Sequence, residues 1–175
     1  PVGENNHVNG ILDTTCVPAR VGDAISVQAN HMARQLADAL DYCGVLAVEF
    51  FLTRDGELLI NEMAPRPHNS GHYTIDACLN SQFEQQVRSL CGLPPGSTTL
   101  LSPAVMVNIL GDWWHEGATP PWERLFNHPQ AKLHLYGKQH ARVGRKMGHY
   151  DCLAAELDEA LEVAERVRME LASRL

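Results

Sequence analysis

The chain has 175 residues, with 14 Lys and Arg against 21 Asp and Glu, a formal net charge of −7. Hydrophobic residues make up 45% and charged residues 20%, proportions that exclude whole-chain disorder, collagen and coiled coil. The acidic balance argues against nucleic acid or an anionic membrane as the main partner, and no apolar run approaches the roughly 18 residues of a membrane-spanning helix.

The chain opens Pro1-Val2-Gly3-Glu4, without an initiator Met or an apolar leader, and reads as the interior of a longer protein. Ile11–Val17 has strand character. Asp23–Leu40 carries Ile25, Ala29, Met32, Leu36 and Leu40 at helical spacing. Gly44–Leu52 and Leu58–Ala64 are two apolar, partly β-branched runs around Asp55-Gly56, a signal for a two-residue hairpin turn. After the loop Pro65–Tyr73, Ser81 and Glu84 form a capping box at the head of a helix to Cys91, which Gly92 ends. Leu93–Pro103 is rich in Pro, Gly, Ser and Thr and predicts a subdomain junction. Ala104–Leu110, Lys132–Tyr136 and Arg145–Tyr150 predict strands, and Pro121–Asn127 a short helix. Leu157–Leu175 predicts a closing helix with Leu157, Leu161, Ala164, Val167, Leu171 and Leu175 inward and Arg168 outward. Trp113, Trp114 and Trp122 are expected in the core. The mixture predicts an α+β fold. Five cysteines, Cys16, Cys43, Cys78, Cys91 and Cys152, include no C-x-x-C pair and predict free buried thiols in a reducing compartment, the cytoplasm.

The hairpin carries the sharpest inference. Counting back from a two-residue turn pairs Glu49 with Glu62, on one face with Cβ atoms about 4.5–5.5 Å apart. Opposed carboxylates repel, so either a proton is shared between them or a divalent cation lies there. Magnesium (Mg) prefers such hard oxygen ligands and completes its shell with phosphate oxygens. Glu49 lies within Val45–Leu52, a run apolar enough to predict cover on both faces of the strand. A solvated, incidental pair is the simpler alternative, and a one-residue slip in register would separate the two.

Beside the second glutamate, Pro65 and Pro67 shape a loop carrying Arg66, His68, Asn69, Ser70 and His72. Arg66 suits two-pronged binding of phosphate or carboxylate. Loops of dense polar groups beside a charged pair are typical site material. His68 and His72 are four apart, but Asn-Ser-Gly between them is poor helix, so a zinc pair on a helix is a weak reading.

The string GVLAVEFFLTRDGELLINEMAPRPHNSGHYT (Gly44–Thr74) resembles the metal-binding end of ATP-grasp enzymes, and more narrowly the 5-(carboxyamino)imidazole ribonucleotide synthases of purine biosynthesis. ENNHVNGIL (Glu4–Leu12) and HLYGKQHARVGRKMGH (His134–His149) are similar to the same family. The resemblance implies a C-terminal fragment: residues 1–96 the C-terminal part of an ATP-grasp domain, an antiparallel sheet with helices, and 97–175 a small α+β subdomain. It implies that ATP phosphorylates bicarbonate to carboxyphosphate, which carboxylates 5-aminoimidazole ribonucleotide. Glu49 and Glu62 then match the magnesium ligands, and His7, Asn61 and Glu62 match positions that contact ATP. Arg66, which would be catalytic, and His68, Asn69, Ser70 and His72 would face carboxyphosphate and the aminoimidazole. Lys138, Arg145 and, beside them, Lys146 would hold the ribonucleotide's phosphate. Read from spacing alone, those basic residues are an ordinary solvated hairpin. Many ATP-grasp enzymes carry Asn two residues after the second Glu; here it is Ala64. The family implies a homodimer in the cytoplasm, with no nucleic-acid or membrane partner, and an isolated fragment without activity. The alternatives are a truncated non-catalytic module for ligand binding or dimerisation, and a metal-dependent hydrolase built on Glu49, Glu62, His68 and His72.

Overall fold

The computed structural model describes residues 1–114 and 118–172. In chain order its strands and α-helices are β1 (Glu4–Val8), β2 (Ile11–Val17), α1 (Asp23–Ala39), β3 (Ala47–Leu52), β4 (Leu58–Ala64), α2 (Thr74–Ala77), α3 (Gln82–Leu90), β5 (Ala104–Leu110), α4 (Trp122–Leu125), β6 (Ala131–Leu135), β7 (Lys146–Leu153) and α5 (Leu157–Ala172). Packing gathers Pro1–Gly3 and Ala19–Leu101 into one unit, and Glu4–Pro18 with the chain from Ser102 onward into a second. These units do not follow chain order, unlike the division at 96/97 drawn along the sequence, because the first hairpin pairs with a strand from the far half.

The second unit is built on a five-stranded antiparallel sheet in the order β1-β2-β5-β7-β6. The sequence predicts no strand over Glu4–Val8, whose Glu-Asn-Asn-His run is polar. The turn into β2 is Asn9-Gly10, both with positive φ (51° and 76°), the pattern of a tight hairpin turn. Ala104 to Ile109 of β5 are all buried, since the strand has neighbours on both edges. The helix α5 lays Ala160, Val163, Ala164, Val167 and Leu171 against Cys16, Val105, Val107, Ile109, Tyr150 and Cys152. The Tyr150 hydroxyl, inside this apolar layer, donates to the Ala164 carbonyl at 2.9 Å. Trp113, Trp114 and Trp122 pack against the same cluster, the core role expected of them. Leu175, expected on the inward face of the last helix, lies outside the described residues. Arg168 does not point outward as expected. Its guanidinium grips Asp13 of β2 with two bonds of 3.1 and 2.9 Å, because a long stem can cover apolar surface while its fork reaches a carboxylate.

The first unit has a thinner interior. Of α1 only Ala29 is buried, and β3 and β4 form a two-stranded ribbon. The cover expected on both faces of β3 is not found among the described residues: Phe51 is 60% exposed and Ile60 of β4 47%. The α3 helix is well delimited. The Ser81 side chain accepts from the Glu84 N–H at 3.1 Å, but Glu84 does not return the bond; its carboxylate takes Asn80 and Arg88 instead. At the other end, Leu93 N–H bonds Arg88 O and Gly92 N–H bonds Ser89 O, the paired closure of a helix that ends on a left-handed residue. All five cysteines are free; Cys16, Cys78 and Cys152 are buried as expected, whereas Cys43 and Cys91 are exposed. Among the described residues no helix is long and apolar enough to cross a membrane.

Candidate active site

The site grows from the β3–β4 turn. Thr53 N–H bonds Glu57 O at 2.9 Å and Gly56 N–H bonds Thr53 O at 3.0 Å. The loop is therefore three residues, Arg54-Asp55-Gly56, with Gly56 at φ 83°, a conformation that a side chain would strain. This corrects the expected two-residue turn and moves the nearby pairs by one: Leu52 faces Leu58, Phe51 faces Leu59 and Phe50 faces Ile60. The register then shifts between Glu49 and Phe50, and Glu49 faces Glu62. Asn61 is the extra residue, a β-bulge that restores the pairing the turn displaced. A bulge re-aims side chains and is frequent beside active sites. It releases Asn61 from the strict alternation that would set it opposite Glu62.

The opposed carboxylates have a third neighbour. Glu49, Glu62 and His68 each offer a ligating atom within 4.8 Å of the other two. His68 Nδ1 lies 3.6 Å from Glu49 Oε1, and both side chains are only 15% exposed. Glu62 is exposed. His68 Nδ1 also meets the Ser70 hydroxyl at 2.9 Å. Two carboxylates held on neighbouring strands would destabilise the ribbon without a compensating charge. Hard oxygen donors converging within one ion's reach fit a divalent cation such as magnesium.

The loop's shape comes from a residue that the sequence does not single out. Gln82, in the first turn of α3, is buried at 8% exposure. Its Oε1 accepts the His68 backbone N–H at 2.8 Å, and its Nε2 donates to the His68 carbonyl at 2.8 Å and meets His72 Nδ1 at 2.9 Å. A Cβ on Gly71 would lie 2.6 Å from Gln82 Oε1, so only glycine lets the amide reach. No local sequence signal marks it, since its partners lie 10 and 14 positions away. Burial alone makes it conspicuous.

Residues 1–83 match the ATP-grasp domain model, and residues 104–163 match that of the phosphoribosylaminoimidazole carboxylase C-terminal domain. The first match assigns residues 1–83 to the ATP-grasp family. The chain is 52% identical to the N5-carboxyaminoimidazole ribonucleotide synthase of Bacillus subtilis (strain 168) over 93% of its own length and 42% of the relative's. Among solved structures, the synthetase from Thermus thermophilus is 42% identical with a TM-score of 0.89, covering all of this chain and 46% of that one. The synthase from Aspergillus clavatus, solved with ADP and 5-aminoimidazole ribonucleotide, is 36% identical with a TM-score of 0.88 over 98% of this chain and 47% of that one. The chain thus spans less than half the length of these relatives.

The first unit brings together Glu49, Glu62, His68, Ser70 and His72, with Asn61 in the β4 bulge and Asn69 in the turn Asn69–Gly71. Arg66 is exposed and its Nη1 donates to the adjacent Pro67 carbonyl at 3.0 Å. His7, Lys138, Arg145 and Lys146 belong to the second unit. His7 is an exposed β1 residue beside a register shift at Asn6/His7. Lys138 donates to the Lys146 carbonyl at 2.6 Å and lies 5.4 Å over the Tyr136 ring. Arg145 donates to the His140 carbonyl at 2.8 Å. Lys138, His140, Leu135 and Met147 help to line a cleft of about 550 Å³. Lys138 and Arg145 are thus each tied to a backbone carbonyl of the β6–β7 connection while their side chains stay exposed, as on a solvated hairpin.

A second His/Asp cluster, His134, His149 and Asp151, also has ligating atoms within 4.8 Å. The two histidines stack with centroids 4.6 Å apart and an interplanar angle of 16°. Imidazole lone pairs lie in the ring plane, and planes so nearly parallel do not meet at a shared ion. His149 Nδ1 is taken by the Tyr136 hydroxyl at 2.9 Å. This group is a buried polar layer of the sheet.

Proposed function

We propose that the chain is the metal- and phosphate-handling end of an ATP-dependent carboxylase. The longer protein would convert 5-aminoimidazole ribonucleotide, bicarbonate and ATP to N5-carboxyaminoimidazole ribonucleotide, ADP and phosphate through carboxyphosphate. The observation that carries this reading is the direct opposition of Glu49 and Glu62 beside His68; the likeness to the synthases supports the substrate class.

Glu49 and Glu62 would hold magnesium, which when bound neutralises phosphate charge during transfer. Asn61, re-aimed by the bulge, and His7 would contact the nucleotide. Arg66 would stabilise charge developing on the transferred group. The loop His68–His72, held by Gln82, would orient carboxyphosphate and the amine, since transfer between two bound partners depends on alignment more than on covalent help. Lys138, Arg145 and Lys146 would bind the ribonucleotide's phosphate by charge and hydrogen bonding. The same reading places the enzyme in the cytoplasm as a homodimer, a state that sedimentation of the full-length protein measures. Replacing Glu62→Gln there removes one charge at constant shape. Bicarbonate-dependent ATP turnover is expected to vanish with the circular dichroism spectrum unchanged; retained turnover would overturn the reading. The hydrolase alternative predicts tight zinc binding without nucleotide, which elemental analysis detects.

A further inference from the structure

We propose that Gln82 is a positioning residue that locks His72 in one tautomer, with the ring proton on Nε2, so that this imidazole serves as an N–H donor to the substrates. The functional half of this rests on the carboxylase reading above.

The argument is one of donor and acceptor identity. The His68 backbone N–H points at Gln82 Oε1 at 2.8 Å, and only the oxygen end of an amide can accept it. The amide therefore cannot flip, and its NH₂ end must serve the other two partners. One is the His68 carbonyl at 2.8 Å and the other is His72 Nδ1 at 2.9 Å. An NH₂ donor requires a lone pair on Nδ1, so a neutral ring carries its proton on Nε2. Gln82 is buried, so water does not readily replace any of the three bonds.

The surroundings hold the amide and the ring where this works. Thr74 Oγ1 accepts the Gln82 N–H at 3.0 Å and donates to the Gly71 carbonyl at 2.6 Å. Phe83, the next residue, stacks on His72 with centroids 5.5 Å apart and an interplanar angle of 28°. The first turn of α3 thus grips the imidazole by one edge and one face. Gly71 leaves the room this requires. With Nδ1 occupied and Nε2 protonated, neither nitrogen is available to ligate a metal or to accept a proton. An Nε2–H donor suits the anionic oxygens of a phosphorylated substrate.

The test uses the full-length protein labelled with ¹⁵N-histidine. Two-bond ¹H–¹⁵N spectra separate the tautomers, and His72→Asn identifies the signal. Wild type is expected to show Nε2–H. Gln82→Glu keeps the shape but presents only acceptors to His72, so the ring proton should appear on Nδ1. The variant's kcat should fall on the order of 10²-fold, as for a misplaced reacting group, while KM for ATP holds. A purely structural Gln82 would lower thermal stability without moving the proton. Nδ1–H in wild type, or an unchanged His72 pattern in Gln82→Glu, would overturn the clamp. An inverted pattern with unchanged kcat would overturn its role in the reaction. If wild type lacks bicarbonate-dependent turnover, the carboxylase reading fails, while the spectra still decide the tautomer. If Gln82→Glu does not fold, Gln82→Met and the wild-type spectrum carry the same decision.

Discussion

Strands β3 and β5 are similar on paper and opposite in the fold. Ala-Val-Glu-Phe-Phe-Leu and Ala-Val-Met-Val-Asn-Ile-Leu are both apolar runs with one polar interruption. From Ala104 to Ile109 β5 is at most 1% exposed, whereas Phe51 and Leu52 of β3 are 60% and 45% exposed. The difference lies in their neighbours. β5 has β2 and β7 at its edges and α5 on one face, while among the described residues β3 has only β4 beside it. An apolar strand states a need for cover; whether the need is met depends on what else packs there. Burying one such side chain is worth roughly 1.5–3 kcal/mol, and a two-stranded ribbon alone is marginal in water.

The contrast can be broken by substitution. Ile109→Ala in the 175-residue chain is expected to cost about 2–5 kcal/mol in urea denaturation, as for a closed core. Ile60→Ala, in the ribbon, should stay near the ~0.5 kcal/mol of surface changes. Equal costs would mean that the ribbon is covered in solution. A smaller effect sharpens the account of the second unit. Arg168→Leu removes the two-pronged grip on Asp13, whose side chain is 19% exposed against 27% for Arg168. The loss should be about 1–3 kcal/mol for hydrogen bonds to a charged group, and Asp13→Asn should recover part of it in the double variant. The smallest effect is on reactivity alone. Cys43 and Cys91 are exposed and should react with iodoacetamide in the folded chain. Burial, with a further push from the Asp151 charge, raises the Cys152 thiol to about 12, so Cys152 should be modified only on unfolding. Early labelling of Cys152, read by mass spectrometry, would show that the second core opens.

Legibility follows the range of the interaction. The Ser81 cap and the Gly92 stop are local chemistry and can be read from a few residues. The Glu49–Glu62 pair is reached by counting from a two-residue turn. The three-residue loop and the bulge at Asn61 displace that count in opposite directions, so the pairing holds although the steps to it do not. The strand Glu4–Val8 is hidden by its polar composition, although Asn9-Gly10 announces it. Arg168 reads as a surface residue because helical periodicity does not show a carboxylate on a distant strand. Gln82 is inconspicuous for the same reason: its partners lie 10 and 14 positions away in the loop, and nothing local distinguishes a clamping glutamine from a solvated one.

Helix punctuation and the spacing of acidic side chains along two adjacent strands are properties of a few consecutive residues, so the amino-acid order by itself determined them, along with the family resemblance. Which apolar strand is enclosed, which arginine is paired and which amide orders the histidine loop depend on groups brought together from far along the chain. Those were decided only by the tertiary structure, because burial and hydrogen-bond satisfaction belong to neighbours in space.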